Sequence, residues 1–373
     1  MSEKFRYRRY RNGDADKINR LYKQVTGRER SLSEFDWQWR EAPGGPAEIW
    51  LIEAVSGDDC RLIGHHGVMP VRFSRGAEDL LFGKTENTMV HADYRRKILY
   101  PRFERRFARE YEPRFDALFS TIGPAAAIRQ RQALGYRFDT KWVRVRIPTS
   151  IGGELRSLWR RLIARGGSGE LAVASLRVDP CDEPAAPTAA SVQGIRALTD
   201  KEAQADPFFV RFWPQRRNHY GLTPSRCRAD LNWRFWSNPH SAFTTLIADE
   251  NGDEPGYAVI RRNPVNPRAA NIDDFVPVAP TAVHMAKLLH AVLEWLRVNR
   301  VDWADFSTTQ EAGDLGVLAR LFRCRDMRLR RLRSLVRTEA EIFMPRRVTP
   351  TGDAKNLDGC DWYVTPFVFE GRR

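Results

Sequence analysis

The sequence predicts a mixed α/β fold that occurs twice along the chain. The segment from Trp37 to Pro43 returns at Trp233 to Pro239, and both ends are offset by 196 residues (233 − 37 and 239 − 43). In each copy an apolar run, a Gly-Asp turn and a second apolar run follow, which is typical of a β-hairpin. A repeat of this length indicates two similar domains rather than a solenoid.

The length of the chain agrees with two domains. It has 373 residues, which is long for one domain and comfortable for two. The predicted domains cover residues 1–147 and 195–373, and residues 148–194 form a predicted linker. The linker combines a basic amphipathic segment, Leu155 to Ala164, with a stretch rich in glycine and proline.

The first copy is predicted to build strands and helices around one central strand, Leu80 to Val90. The other predicted elements are a strand from His65 to Phe73 broken at Pro70, a helix from Arg95 to Arg109, a strand from Phe115 to Ser120, a helix from Ala125 to Leu134 ended by Gly135, and an outer strand from Lys141 to Ile147.

The end of the central strand has the most distinctive chemistry in the chain. Met89 and Val90 run into a short turn, and three cations, Arg95, Arg96 and Lys97, then open the predicted helix. A helix N-terminus has unpaired N–H groups and the positive end of the helix dipole, so it attracts phosphate. This layout suits a cofactor with a pyrophosphate group. A basic helix start on a solvated surface is the alternative.

The same residues resemble the acyl-CoA-binding segment of GNAT acyltransferases, in which a strand carries the CoA chain and the following turn wraps its pyrophosphate. The resemblance implies a tandem duplicated GNAT-like fold and acyl-CoA or acetyl-CoA as co-substrate. Arg95 matches the first position of the family's turn, whereas Ile98 and Tyr100 stand where the family has small residues. The implied cofactor-binding residues are Met89, Val90, His91, Arg95, Arg96, Lys97, Ile98 and Leu99.

The second copy is predicted to keep the fold without the phosphate site. Its matching strand, Asn271 to Pro280, is followed by no basic turn. Instead Thr281 can cap a helix from Val283 to Arg297, and the next strand runs from Val301 to Ser307. We therefore expect this copy to wall the cleft and to shape an acceptor pocket. Asp273 and Asp274 on its strand are secondary candidates for acids or amine ligands.

Acyl transfer to an amine requires a base and donors that stabilise the oxyanion. The candidate base is Glu86 on the central strand, where the resembling family often has a catalytic carboxylate, and His91 is the second candidate. His65 and His66 are neighbours on a strand, so at most one of them faces the cleft. Arg131 occupies the position where the family often has a tyrosine acid, and a guanidinium is no acid near neutral pH.

Composition restricts the expected cellular location and the classes of partner. No apolar run approaches the roughly 20 residues of a membrane span, and the N-terminus has no apolar signal core. The five cysteines are isolated, which predicts free thiols in a reducing cytoplasm and no metal site. The 61 basic and 47 acidic residues give a net charge of +14. Such a charge fits CoA, an acidic carrier protein, tRNA or an anionic membrane face, or simply a solvated surface.

Three functions remain open from the sequence. The first is a tandem GNAT-type N-acyltransferase that acts on a small or carrier-bound amine in the interdomain cleft. The second is a Fem-type transferase that takes its acyl group from aminoacyl-tRNA, which agrees with duplication and positive charge. The third is a non-catalytic binding protein on an acyltransferase fold, which the residues Ile98 and Arg131 favour. The sequence does not indicate an oligomeric state.

Overall fold

A computed structural model describes residues 3–97, 99–121, 125–138, 142–149, 192–250, 253–309 and 346–353, and in the C-terminal region residues 355, 357, 360 and 362–368. The strands are β1 (Lys4–Arg9), β2 (Glu48–Ser56), β3 (Asp59–Arg75), β4 (Glu78–Val90), β5 (Ala117–Phe119), β6 (Trp142–Pro148), β7 (Ile195–Leu198), β8 (Leu222–Pro224), β9 (Thr244–Glu250), β10 (Asp253–Arg262), β11 (Ala269–Pro277), β12 (Trp303–Thr309) and β13 (Arg346–Val348). The α-helices are α1 (Ala15–Thr26), α2 (Leu32–Trp39), α3 (Leu99–Tyr111), α4 (Ala125–Ala133), α5 (Asp200–Ala205), α6 (Phe208–Arg216), α7 (Arg228–Leu231), α8 (Ala282–Val298) and α9 (Pro350–Asp353).

The strands form two sheets with one topology. The first sheet has the order β1-β2-β3-β4-β5-β13, and β8 adds to the end of β3. The second sheet has the order β7-β9-β10-β11-β12-β6 when it is followed from its other edge. In each sheet the fourth and fifth strands, β4 with β5 and β11 with β12, are parallel, and the other neighbours on this path are antiparallel. The mixed α/β fold class is therefore confirmed.

Each sheet receives its last strand from the other half of the chain. The strand β13 pairs with β5 through Arg346↔Phe119, and β6 pairs with β12 through Ile147↔Ala304. The outer strand predicted over residues 141–147 therefore exists but lies in the second sheet. Because residues 150–191 are outside the described part, the linker and the domain boundaries at 147 and 195 stay predictions, and so does the amphipathic helix from Leu155 to Ala164.

The predicted break of β3 at Pro70 is wrong. The strand continues through Pro70, which lies opposite Gly83 of β4. On the other side of β3, the ladder with β2 extends only to Val68. Pro70 thus lies where β3 has one neighbour, and the N–H that proline lacks costs no hydrogen bond to β2.

Local signals explain where several helices begin and end. Helix α2 starts with a capping box, in which Ser31 accepts from the Glu34 amide and Glu34 accepts from the Ser31 amide. Thr281 caps α8, as the sequence predicts. After α4, Gly135 has a φ of +82°, a left-handed conformation that glycine adopts without a steric penalty.

The repeated segment meets its own copy in space. The rings of Trp37 and Trp233 stack with centroids 5.2 Å apart. The indole N–H of Trp37 donates to the Trp233 carbonyl at 2.8 Å, and the indole N–H of Trp233 donates to the Trp37 carbonyl at 2.8 Å. Such mutual contacts are what a local two-fold axis produces. The two repeats therefore face each other across the junction of the two halves.

A shared hydrophobic core joins the halves. Phe73 and Phe82 of the first sheet are fully buried and lie against Trp362, with ring centroids 5.7 and 5.4 Å from the indole. On its opposite face the first sheet packs against α3 through Phe107 and Tyr111. The first sheet is thus covered on both faces.

Candidate functional site

The candidate site begins where β4 and β5 separate. Their parallel pairing covers only Phe82 to Lys84 of β4, yet β4 continues to Val90. On the β5 side, no strand in the described part pairs with residues 85–90, which we call the free edge of β4. A free strand edge presents unpaired N–H and C=O groups that an extended ligand with amides can bond.

A β-bulge distorts the free edge near its start. The register between β3 and β4 shifts between the pairs Gly67↔Glu86 and His65↔Met89, so β4 contains one extra residue there. Asn87 adopts a φ of 47°, a left-handed conformation that asparagine tolerates better than most residues. Bulges of this kind re-aim side chains and end pairing, and they are frequent beside active sites.

Two buried histidines of β3 hydrogen-bond residues of the bulge, one from each face of the sheet. His65 Nδ1 bonds the Asn87 carbonyl at 2.8 Å, and His66 Nδ1 bonds the Thr88 hydroxyl at 3.1 Å. They face opposite sides of the sheet, because His65 packs on Trp39 and His66 stacks on Phe107. Burial lowers the pKa of His65 to about 3 and the pKa of His66 well below its usual value. Both rings are therefore neutral at pH 7.

Glu86 lies at the bulge with part of its side chain open to solvent. Its side chain is 23% exposed, and its Oε2 lies 2.5 Å from the ammonium of Lys84, which is 2% exposed. A buried ammonium needs a counter-charge, and Glu86 supplies it. The sequence patterns do not predict Lys84 as part of the site. The available signal was a single lysine that directly follows the apolar run Leu80 to Gly83.

The structure does not bring His91 to Glu86. His91 follows the end of β4, five residues and about 16 Å further along the strand. Its amide donates to the Ile63 carbonyl of β3, on the side away from β5. The Arg61 guanidinium donates to His91 Nε2 at 2.8 Å, so the lone pair that a base would use is already engaged. The geometry favours Glu86 over His91 as the group that accepts a proton.

The three cations after the free edge lie in a tighter turn than predicted. Residues Ala92–Lys97 form a 3₁₀ helix, and α3 begins at Leu99 rather than at Arg95. Within a 3₁₀ helix each amide bonds the carbonyl three residues earlier, so the amides of these cations point into the helix. A phosphate would therefore meet the side chains of Arg95, Arg96 and Lys97, which we call the basic turn.

Two residues of the basic turn already have contacts. Arg95 donates from Nε to the Val90 carbonyl at 3.2 Å, which places its guanidinium at the end of the free edge. The Lys97 ammonium lies 2.5 Å from Glu3 Oε2. Arg96 is exposed. Ile98, the position at which the sequence departs from the GNAT pattern, lies outside the described residues.

Arg131 neutralises a buried carboxylate instead of facing the free edge. It pairs with Glu104 of α3, which is fully buried, and its guanidinium lies 5.2 Å from the Tyr136 ring centroid. Burial raises the pKa of Tyr136 to about 12, so its phenol stays protonated. Arg131 has a structural partner in the position where the resembling family often places an acid.

The corresponding opening of the second sheet is filled. Pairing of β11 with β12 ends at Ile272↔Phe306. Beyond this point residues 362–368, which we call the C-terminal segment, lie against β12, and the Thr309 amide donates to the Val364 carbonyl at 3.0 Å. The Thr365 hydroxyl bonds Asp274 on β11 at 2.6 Å. Residues 362–368 thus occupy the place in the second sheet that corresponds to the free edge of β4.

The two aspartates proposed as secondary candidates are held in buried ion pairs. Asp274 is fully buried beside Arg226, at 3.1 Å, and also accepts from the Tyr257 hydroxyl at 2.9 Å. Asp273 lies 2.6 Å from Arg261 and is similarly buried. Asp273 therefore links β11 to β10, and Asp274 links β11 to the C-terminal segment.

Solved structures share this fold. A conserved protein from Enterococcus faecalis, described as "Probable N-Acyltransferase", matches with a TM-score of 0.59 and 11% identity over 94% of this chain and 74% of that chain. A GCN5-related N-acetyltransferase from Anabaena variabilis matches with a TM-score of 0.57 and 12% identity over 92% and 73%. Saccharomyces cerevisiae N-myristoyltransferase with bound myristoyl-CoA matches with a TM-score of 0.51 and 12% identity over 93% and 79%.

Because the sequence identities are only 11–12%, these matches show a shared fold and nothing more about this chain. The chain has the fold of the GCN5-related N-acetyltransferases, as the resemblance of residues 88–100 implies. No family model and no curated protein sequence matches the chain.

Two further searches concern only the described part of the chain. None of its helices combines the length and the apolar character that crossing a bilayer requires. No three His, Cys, Asp or Glu side chains of this part come together as a metal site would require. The cytoplasmic location and the lack of a metal stay predictions.

Proposed function

We propose that the chain is an N-acyltransferase that moves an acyl group from acyl-CoA to an amine at the free edge of β4. The observation that carries this proposal is one continuous arrangement. A free strand edge contains the partly exposed carboxylate of Glu86 near its start and ends at the basic turn. The fold shared with acyltransferases supports the same function.

Binding of acyl-CoA uses both ends of this arrangement. The amides of the pantetheine arm pair with backbone groups between Glu86 and Val90, as an added strand would. The pyrophosphate lies against the basic turn, where guanidinium and ammonium groups form charge-assisted hydrogen bonds. The acyl carbonyl then lies near the bulge, and acetyl-CoA is the smallest donor that fits this scheme.

The chemistry is direct attack by the amine. Glu86 takes a proton from the ammonium of the acceptor, directly or through a water molecule, and the nitrogen lone pair attacks the thioester carbonyl. Backbone N–H groups at the bulge stabilise the oxyanion of the tetrahedral intermediate. The C–S bond then breaks, and the CoA thiolate takes up the second proton that the nitrogen releases. Lys84 holds the Glu86 carboxylate in place.

The second half has a supporting role in this proposal. Its own opening is filled by the C-terminal segment, so one chain binds one acyl-CoA. The second half walls the cleft in which a small or carrier-bound amine reaches Glu86. A cytoplasmic location, where acyl-CoA is available, agrees with this function.

Calorimetric titration of the full chain with acetyl-CoA and with myristoyl-CoA tests binding. We expect one ligand per chain for at least one donor. Two ligands per chain would contradict a filled second opening. No binding by a well-folded chain would overturn the proposal and favour aminoacyl-tRNA as donor or a non-catalytic role.

The catalytic role of Glu86 is tested with Glu86→Gln. This change keeps the size of the side chain and one oxygen that can accept from Lys84, and it removes the negative charge and the ability to accept a proton. We expect kcat with a panel of primary amines to fall about 100-fold or more, with an unchanged Kd for acetyl-CoA. His91→Gln is the matched control and should retain most activity. Full activity of Glu86→Gln would assign the base elsewhere.

The phosphate contacts are tested with the double variant Arg95→Ala/Arg96→Ala. Loss of two charge-assisted contacts should weaken acetyl-CoA binding about ten-fold or more. Lys201→Ala/Arg211→Ala removes the same charge from the exposed surface of the second half and serves as control. Equal affinities of the two double variants would place the phosphates away from the basic turn.

A further inference from the structure

One amine of the chain itself lies beside the proposed base. The Lys84 ammonium is 2.5 Å from Glu86 Oε2, which is the contact that the proposed reaction requires of an acceptor ammonium. Lys84 and Glu86 are two residues apart on β4, so their side chains lie on one face of the strand. Phe82 on the same face belongs to the core that the two halves share. Lys84 therefore meets Glu86 on the side of the sheet that faces the second half.

Lys84 also marks the point at which β4 and β5 separate. The pair Lys84↔Phe119 is the last of their parallel ladder, and the free edge begins at the next residue of β4. From Val90 back to Lys84 the strand extends over about 20 Å. A donor whose phosphates lie at the basic turn, and whose arm follows the free edge, therefore places its thioester at the end that Lys84 and Glu86 share.

Burial distinguishes Lys84 from the other lysines. The sequence has nine lysines, and among those whose burial the structure describes only Lys84 is buried. Within the described part of the chain, its ammonium has no partner besides Glu86, and it is carried on a flexible four-carbon stem. The ammonium can therefore turn toward a thioester that lies beside Glu86, whereas acyl-CoA free in solution does not reach it.

We propose that Lys84 is a self-acylation site, to which acyl-CoA bound at the free edge transfers its acyl group. This proposal rests on the acyltransferase function proposed above. Glu86 takes a proton from the Lys84 ammonium, and the lone pair of Nζ attacks the thioester carbonyl. A C–N bond forms, the C–S bond breaks, and the CoA thiolate takes up a second proton from the nitrogen. The products are N-acylated Lys84 and CoA, and Glu86 releases its proton to solvent.

Acylation changes the charge at the site. An amide has no positive charge, so N-acylated Lys84 no longer balances the carboxylate of Glu86. The Glu86 side chain is 23% exposed, so water can solvate the carboxylate after the ammonium is lost. The donor thereby alters the surroundings of the group that serves as base for external amines.

The test is incubation of the full chain with deuterated acetyl-CoA, followed by mass spectrometry of the intact chain and of its peptides. The deuterium separates new acetyl groups from any that were added during expression. We expect one labelled acetyl group per chain, at Lys84, with a rate that saturates as the donor concentration passes the calorimetric Kd. Acetylation of exposed lysines by free acetyl-CoA should instead rise in proportion to the donor concentration.

Three variants assign the reaction to this pair of residues. Lys84→Arg keeps a positive charge beside Glu86, but a guanidinium stays protonated and cannot attack, so the saturable labelling should disappear. Glu86→Gln keeps Lys84 and removes the base, so labelling should be at least ten-fold slower. Lys201→Arg changes an exposed lysine of the second half and should be labelled like the parent chain. Thermal unfolding confirms that each variant is folded.

The outcomes separate failure of this proposal from failure of the proposed function. If the parent chain binds acetyl-CoA and acetylates primary amines while Lys84 stays unlabelled, Lys84 is a counter-charge and the self-acylation proposal is wrong. Label spread over exposed lysines, at equal rates in the parent chain and in Lys84→Arg, would also overturn it. If the parent chain neither binds acetyl-CoA nor acetylates an amine, the acyltransferase function fails, and self-acylation fails with it.

Discussion

At the scale of single residues, two neutral histidines support a site whose other groups are charged. His65 and His66 hold the bulge through Asn87 and Thr88, and burial depresses the pKa of both. In the unfolded chain each would titrate near pH 6.5. Between about pH 6.5 and 3 the unfolded chain therefore binds a proton at His65 that the folded chain does not bind.

This difference predicts that stability falls on acidification. The contribution of His65 is complete above pH 6.5 and decreases as the pH falls toward 3, with a slope of about 1.4 kcal/mol per pH unit. His65→Gln keeps a neutral donor for the Asn87 carbonyl and cannot titrate. Urea unfolding at pH 5, 6 and 7 should show that the unfolding free energy of this variant depends less steeply on pH than that of the parent chain. Equal slopes would mean that His65 is protonated in the folded chain.

At the scale of elements, residue patterns predict those features of strands and helices that depend on residues near in sequence. The central strand to Val90, the glycine that ends α4 and the capped helix α8 all follow from periodicity and capping residues. The sequence predicts the start of α3 at Arg95, four residues before its actual start at Leu99, because contacts distant in sequence determine where the helix begins. Tyr94 is buried and bonds Glu3 at 2.7 Å, which helps hold residues 92–97 in a 3₁₀ turn near β1. The spacing of charges along the sequence does not predict the contact between Tyr94 and Glu3.

The candidate site was predictable to a similar degree. Glu86 and the basic turn follow from the sequence around one strand. Lys84 beside Glu86, the bulge at Asn87 and the engagement of His91 by Arg61 depend on which side chains the fold brings together. The exchange of β6 and β13 was also unpredictable, because a short edge strand fits the edge of either sheet equally well by pattern alone.

The mutual contact of the repeated segments makes a prediction about paired variants. Trp37→Phe and Trp233→Phe each keep an aromatic ring and remove one indole N–H from a bond of 2.8 Å. Because the two bonds are reciprocal, each change should cost a similar amount, about 1 kcal/mol. The loss of unfolding free energy in the double variant should differ from the sum of the two single losses, since the residues are in contact. Chemical denaturation of the four forms measures this, and a cost confined to one tryptophan would refute the local symmetry.

At the scale of the whole molecule, the halves complete each other. The first sheet obtains β13 from residues 346–348, and its buried Phe73 and Phe82 need Trp362 as cover. A fragment of residues 1–147 should therefore aggregate or unfold without a cooperative transition. Co-expression with residues 192–373 should restore a complex that co-purifies. A cooperative transition of the fragment alone, near the midpoint of the full chain, would show that the exchanged strand is dispensable.

The exchanged strand β13 is synthesised long after the sheet that it completes. Strand β5 ends at Phe119, and its outer neighbour starts at Arg346, which the ribosome adds 227 residues later (346 − 119). At roughly 5–20 residues per second, this interval lasts roughly 11–45 s. During that time the nascent first sheet keeps an unpaired edge and an uncovered aromatic face. Chaperones that shield such surfaces therefore have a defined period of translation in which this polypeptide needs them.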